Sequence, residues 1–151
     1  VRRAYPCDIP VCARLWKEGA IEEQGVDNPR VDIWMEQAYE FISHENNHLY
    51  VAEYNGEIVG FVSGFWHVDP LVGDKMITGT HFYVKPEYRK TGVGKAMQIK
   101  YMKVGSDLGI TRSERRVTQE HSKVLLGKGQ KMTHVIIEEP IKEVLCQWEP
   151  R

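Results

Sequence analysis

Apolar positions change their spacing several times along the chain, and each change marks an element. Residues Val1 to Tyr5 predict a short first strand that ends at Pro6. Asp8 is a good helix N-cap, and Ile9, Val11, Cys12, Leu15 and Trp16 follow at helical spacing up to Gly19. Residues 20–26 then read as an acidic loop or irregular extension. Asn28-Pro29 opens a second helix, with Val31, Trp34, Met35, Ala38, Phe41 and Ile42 on one face, and Asn46-Asn47 stops it. A hairpin follows, Leu49 to Tyr54 and Glu57 to Phe65. Asn55-Gly56 forms its turn, because both turn positions want positive φ. After a loop marked by Asp69-Pro70 and Gly73-Asp74, Met76 to Val84 predicts a fourth strand. A helix opens at Gly92, with Val93, Met97, Tyr101, Val104 and Leu108 along one side, and Gly105 suggests an early end.

The last third is harder to read. Thr111 to Arg116 is too polar for a buried central strand. Thr118 to Leu126 predicts a short helix, and Thr133 to Ile137 and Val144 to Trp148 two more strands. The order β-α-α-β-β-β-α-β-α-β-β makes a mixed α/β (α+β) sheet in a single domain over residues 1–151.

Composition narrows the partners. At 151 residues and 42% hydrophobic, the chain can bury a core without disulfide staples. A net charge of −1 argues against binding nucleic acid or an anionic membrane through global charge. No apolar run approaches membrane-spanning length. Cys7, Cys12 and Cys146 are an odd set without a CxxC pair, which points to reduced thiols and a cytoplasmic setting.

Candidate chemistry concentrates between the fourth strand and the helix after it. Arg89-Lys90-Thr91-Gly92-Val93-Gly94-Lys95 is basic and spaced by glycines. Such a loop points several unpaired backbone N–H groups one way at a helix N-terminus, which suits a phosphate or pyrophosphate. Two common phosphate loops fail the test. A Walker A loop needs glycine where Arg89 stands and Ser or Thr where Ala96 stands, and a dinucleotide GxGxxG needs glycine at Met97. Arg-x-x-Gly-x-Gly, from Arg89 to Gly94, does fit.

This segment, preceded by Val84-Lys85-Pro86-Glu87-Tyr88, resembles the acetyl-CoA-binding motif of the GNAT acyltransferase family. The resemblance extends in order over almost the whole chain. It implies a GNAT fold, with loop amides holding the coenzyme A pyrophosphate. It also implies that main-chain groups of Phe82, Tyr83 and Val84 pair with the pantetheine arm. Acetyl-CoA would then be the co-substrate, with no metal, and a primary amine on a small molecule or peptide would attack the thioester directly. The resemblance admits a homodimer or a subunit of an assembly.

The proton-transfer groups are less plain. The fourth strand offers Thr78, Thr80 and His81, and an imidazole titrates near neutrality, so Thr80 and His81 are the catalytic candidates. If Thr78, Thr80 and Phe82 face the cleft, alternation sends His81 and Tyr83 to the other side. Many family members place a tyrosine before a Gly-Phe pair; here Leu125 or Lys123 takes that place, and His121 or Ser122 would have to substitute. Thr111 to Arg116 is polar either because it lines the cleft or because this half has drifted from catalysis. The rival expectation is therefore a GNAT-fold subunit that has lost catalysis and binds or builds, for example within a viral particle. Glu22, Glu23, Gln24 and Asp27 suit a cationic acceptor or are simply solvated. His44-Glu45-Asn46-Asn47-His48 matches the HExxH zinc pattern, but Asn46-Asn47 is a poor helix interior, so the histidines straddle a helix end.

Overall fold

The computed structural model describes residues 1–115. Within them one sheet runs in the order β1-β2-β3-β4-β5: β1 Arg2–Arg3, β2 Asn47–Tyr54, β3 Glu57–Val68, β4 Lys75–Val84 and β5 Arg112–Arg115. The first three pairings are antiparallel and β4–β5 is parallel, which makes the sheet mixed. The helices are α1 Ile9–Gln24, α2 Val31–Ser43 and α3 Val93–Asp107. The predicted helix over 118–126 and the strands at 133–137 and 144–148 lie outside the described residues.

Helices cover both faces, so the central strands bury successive residues rather than alternate ones. On one face α1 and α2 enclose Ile9, Cys12, Leu15, Trp34, Leu49, Val51, Phe61 and Tyr83. On the other α3 packs Met97 and Tyr101 over Tyr50, Ala52, Val59, Val62, Ile77 and Val84. The Asn55-Gly56 turn forms as the sequence predicts, with φ of 50° and 80°.

Several boundaries differ from the sequence reading, each for a physical reason. Residues 20–24 continue α1 instead of forming a loop, because Ala20 is buried and the helix ends only at Gly25, which is left-handed with φ 64°. Gly19 does not stop the helix. A Cβ there would stand 2.9 Å from the Tyr83 ring, so this glycine lets α1 approach β4 closely. Asp8 occupies the N-cap position of α1 as predicted, but its side chain makes no capping hydrogen bond; its buried carboxylate accepts from the Tyr5 N–H (2.7 Å) and from two nitrogens of Arg2 (2.7 and 3.1 Å). The Arg2 guanidinium accordingly holds the Asp8 carboxyl below the usual carboxylate range. Gly105 stays inside α3, facing Ile110. The polar stretch after α3 is a strand after all. Three of the four β5 residues are exposed, so their polarity costs no buried partner.

The HExxH match dissolves in the fold. His44 is the extended residue that ends α2, whereas His48 is buried in β2 and stacks on Tyr50 with ring centroids 6.2 Å apart.

Two outcomes are expected from the packing. Gly64 sits opposite His48 in the β2–β3 ladder, and a Cβ on it would lie 1.8 Å from the Tyr101 hydroxyl and 2.5 Å from the Thr78 carbonyl. Gly64→Ala should therefore destabilise by about 3 kcal/mol in denaturant titration. Adding Tyr101→Phe should not restore it, because the Thr78 backbone still blocks the methyl. His48 gives the second outcome. Burial, with Arg3 adding charge repulsion, lowers its pKa, and neither ring nitrogen has a partner among the described residues. A depressed folded pKa contributes stability above the unfolded value that is lost as pH falls. The unfolding midpoint should thus hold above about pH 7 and drop below about pH 6.5, with His48→Phe flattening part of that slope.

Candidate active site

The loop after β4 has the geometry of an anion cradle. Gly92 takes φ 90°, a conformation in which only glycine is unstrained, and turns the chain into α3. The first α3 amide with a backbone acceptor is Ala96, which donates to the Gly92 carbonyl at 2.9 Å. The amides of Gly92, Val93, Gly94 and Lys95 have no backbone partner among the described residues. Thr91 is tied back, its N–H and its hydroxyl both donating to the Tyr88 carbonyl. Lys90 and Lys95 extend into solvent beside these amides, and Phe82, 43% exposed, lies against Gly94.

Arg89 does something else. Its Nε donates to the Val84 carbonyl at 2.9 Å, its two terminal nitrogens grip both oxygens of Glu22, and it lies 5.4 Å from the Tyr83 ring centre. The guanidinium thereby fastens the end of α1 to the end of β4. It lowers the Glu22 carboxyl pKa, while burial and the nearby Glu18 and Glu22 push the Tyr83 phenol up to about 12.

The edge of β4 next to this loop is open. Lys85 N–H donates to the Val59 carbonyl, which makes Val84 and Gly60 a pair without mutual hydrogen bonds. Val84 and Phe82 therefore turn their main-chain groups away from β3, whereas Tyr83 spends its own on Phe61. Among the described residues β5 pairs with β4 only from Met76 to Gly79, so no described backbone meets the edge at Phe82–Val84.

Alternation fails in the middle of β4. Ser63 pairs with His81 and Gly64 with Gly79, which leaves Thr80 as an extra residue, a β-bulge. The sequence reading placed His81 across the sheet from Thr80. Instead both reach the Ser63 hydroxyl, Thr80 Oγ1 at 2.7 Å and His81 Nδ1 at 3.2 Å. His81 shares the α1–α2 face with Tyr83, and Phe82 goes to the α3 face. The His81 ring packs near Trp34 and Phe61, with ring centroids 6.0 and 6.3 Å away, yet stays open to solvent. The surrounding protein disfavours its charged form and lowers its pKa, so His81 is neutral near pH 7.

One residue of this face escaped sequence reasoning. Glu114 of β5 stands opposite Thr78, whose hydroxyl donates to Glu114 Oε1 at 2.8 Å. His67 of β3 completes a row across three strands, with Nε2 3.0 Å from Thr78 Oγ1. The available signal was the lone carboxylate in Arg112-Ser113-Glu114-Arg115. Only the β4–β5 register shows which face it takes. Elsewhere, a groove of about 430 Å³ between α1 and the β2–β3 turn is lined by Arg14, Glu18, Glu57 and Lys85 among others. Its lysine is already paired with Glu57, and it stands apart from the β4 edge. Leu125, Lys123, His121 and Ser122 lie outside the described residues.

The model of the acetyltransferase (GNAT) family matches residues 13–123, and the chain belongs to that family. No curated protein sequence matches the chain. Among solved structures it is similar to a predicted acetyltransferase with acetyl-CoA from Clostridium acetobutylicum. That match has 18% identity and a TM-score of 0.76, and covers 94% of this chain and 96% of the other. An aminoglycoside N-acetyltransferase in complex with CoA matches at 18% identity and a TM-score of 0.73, covering 92% and 91% of the two chains. A transcriptional regulator from Bacillus halodurans C-125 matches at 15% identity and a TM-score of 0.77, covering 92% and 97%. At these identities the likeness is one of fold. Among the described residues no helix is long and apolar enough to cross a membrane.

Proposed function

We propose that this chain transfers an acetyl group from acetyl-CoA to a primary amine by direct attack. The observation that carries the proposal is the run of amides from Gly92 to Lys95 with no backbone partner among the described residues, set beside a β4 edge that no described strand covers. Pyrophosphate accepts from these amides, with Lys90 and Lys95 supplying charge and Thr91 and Val93 shaping the loop. The pantetheine arm runs along Phe82, Tyr83 and Val84 as an added strand, drawing on the main-chain groups of Phe82 and Val84. Arg89 serves by holding Val84 and α1 in place, while its charge is spent on Glu22.

The thioester then lies near the bulge, where Thr80 and His81 share Ser63. Neutral His81 takes the ammonium proton at Nε2 while its Nδ1–H donates to Ser63, whose hydroxyl donates to Thr80. The freed amine attacks the carbonyl carbon, the C–S bond breaks, and the leaving thiolate takes the second amine proton. A lowered pKa keeps His81 in the accepting form at neutral pH. Solved neighbours of the same fold are described with CoA or acetyl-CoA, which supports the choice of co-substrate.

Calorimetric titration with acetyl-CoA tests this reading. Wild type should bind, and Gly92→Glu should abolish binding by placing a strained, like-charged side chain in the cradle. Lys95→Ala should weaken binding several-fold and reduce its salt dependence. Arg89→Ala should lower thermal stability more than it lowers affinity. No binding by wild type at millimolar acetyl-CoA would leave a GNAT-fold protein with a binding or structural role.

A further inference from the structure

The row formed by His67, Thr78 and Glu114 has no part in the chemistry given above. Thr78 has one hydroxyl proton and donates it to Glu114, so the His67 Nε2 must carry a proton and donate to Thr78. This arrangement fixes Glu114 Oε1 and leaves Oε2 without a partner among the described residues. The carboxylate is half-buried, and no cation neutralises it among the described residues. Arg112, two residues away on the same face, is engaged by Asp69, while Arg115 lies on the opposite face beside Gly79. Among the described residues, the charged and titratable groups on the face of Glu114 near it are therefore His67 from β3, His81 from β4, and the Arg112–Asp69 pair. Held by one neutral donor among the described residues, this half-buried carboxylate can take a positive ligand group as a further partner.

Glu114 shares the α1–α2 face with His81. Thr78 and His81 are three residues apart on β4, roughly 7–10 Å once the bulge is allowed for. We propose that Glu114, positioned by Thr78 and His67, binds a second positive charge of the acceptor, so that the preferred acceptor is a polycationic amine. The inference rests on the acetyltransferase reading above. One nitrogen of the acceptor reacts at His81, and another, three or four methylenes away, is held at Glu114.

Steady-state transfer from acetyl-CoA to spermidine and to butylamine tests it, with acetyl-CoA affinity measured in parallel. Wild type should show a KM for spermidine at least tenfold below that for butylamine. Glu114→Gln should raise the spermidine KM about 30-fold, a charged hydrogen bond's worth, with kcat within a few-fold. Its butylamine KM and acetyl-CoA affinity should not move. Should that variant fail to fold, Thr78→Val, which keeps the carboxylate but frees it, should raise the spermidine KM several-fold and leave butylamine alone. Equal KM values for the two amines in wild type, or equal effects of either variant on both, would overturn the inference and leave the acetyltransferase reading standing. Transfer to neither amine by a wild type that binds acetyl-CoA overturns the polycation inference. Absence of acetyl-CoA binding overturns the underlying reading and the inference with it.

Discussion

One extra residue in β4 decides which side chains can work together on the α1–α2 face. A regular strand would have carried Thr80 and His81 to opposite sides of the sheet. With Thr80 bulged between Gly79 and His81, both side chains meet Ser63, while Phe82 and Val84 recover the α3 face. The same offset keeps Tyr83 under α1 and Val84 in the α3 core, so both helical layers depend on it. It also sorts the site by face. Gly94 and Phe82 lie on the α3 face, and the groups able to move a proton lie on the other. Under the proposed acetyl transfer, a co-substrate entering between them would present its reactive end to an acceptor arriving from the α1–α2 side.

Arg89 shows why a motif residue need not perform the task its charge suggests. Isolated at the mouth of a glycine loop, an arginine invites a phosphate. Here its fork matches Glu22, its Nε reaches a β4 carbonyl, and its plane lies over Tyr83. Each contact ties the end of α1 to the strand end from which the loop departs. The loop is thus held at a fixed height by an arginine whose charge is locally cancelled. In the proposed reading, anion binding falls to the loop amides and lysines, which have no contact with Glu22 among the described residues.

Features that depend on local rules were legible in the chain. The Asn55-Gly56 hairpin, the helix start at Gly92 and the helical face of Met97 and Tyr101 follow from backbone sterics and periodicity within a few residues. Features set by partners distant in sequence were not. Gly19 reads as a helix stop until the Tyr83 ring is seen where its Cβ would be, and that contact spans more than sixty positions. Asp8 reads as a helix cap until Arg2 and the Tyr5 amide claim its carboxylate. The bulge at Thr80 is invisible because it is a property of the pairing between two strands, and Glu114 is assigned a face only by its register with Thr78.

The polarity of β5 follows from the same reasoning. A parallel strand buried on both faces would be apolar. Arg112-Ser113-Glu114-Arg115 violates that rule, and its cost depends on where each side chain goes. Arg112 is spent on Asp69, Ser113 and Arg115 are exposed, and Glu114 is half-buried with a single neutral donor among the described residues. A carboxylate kept in that position forgoes stability that an apolar residue opposite Thr78 would contribute. Among the described residues Thr78 is the one side-chain hydrogen-bond partner of Glu114, which accords with the proposed cation site.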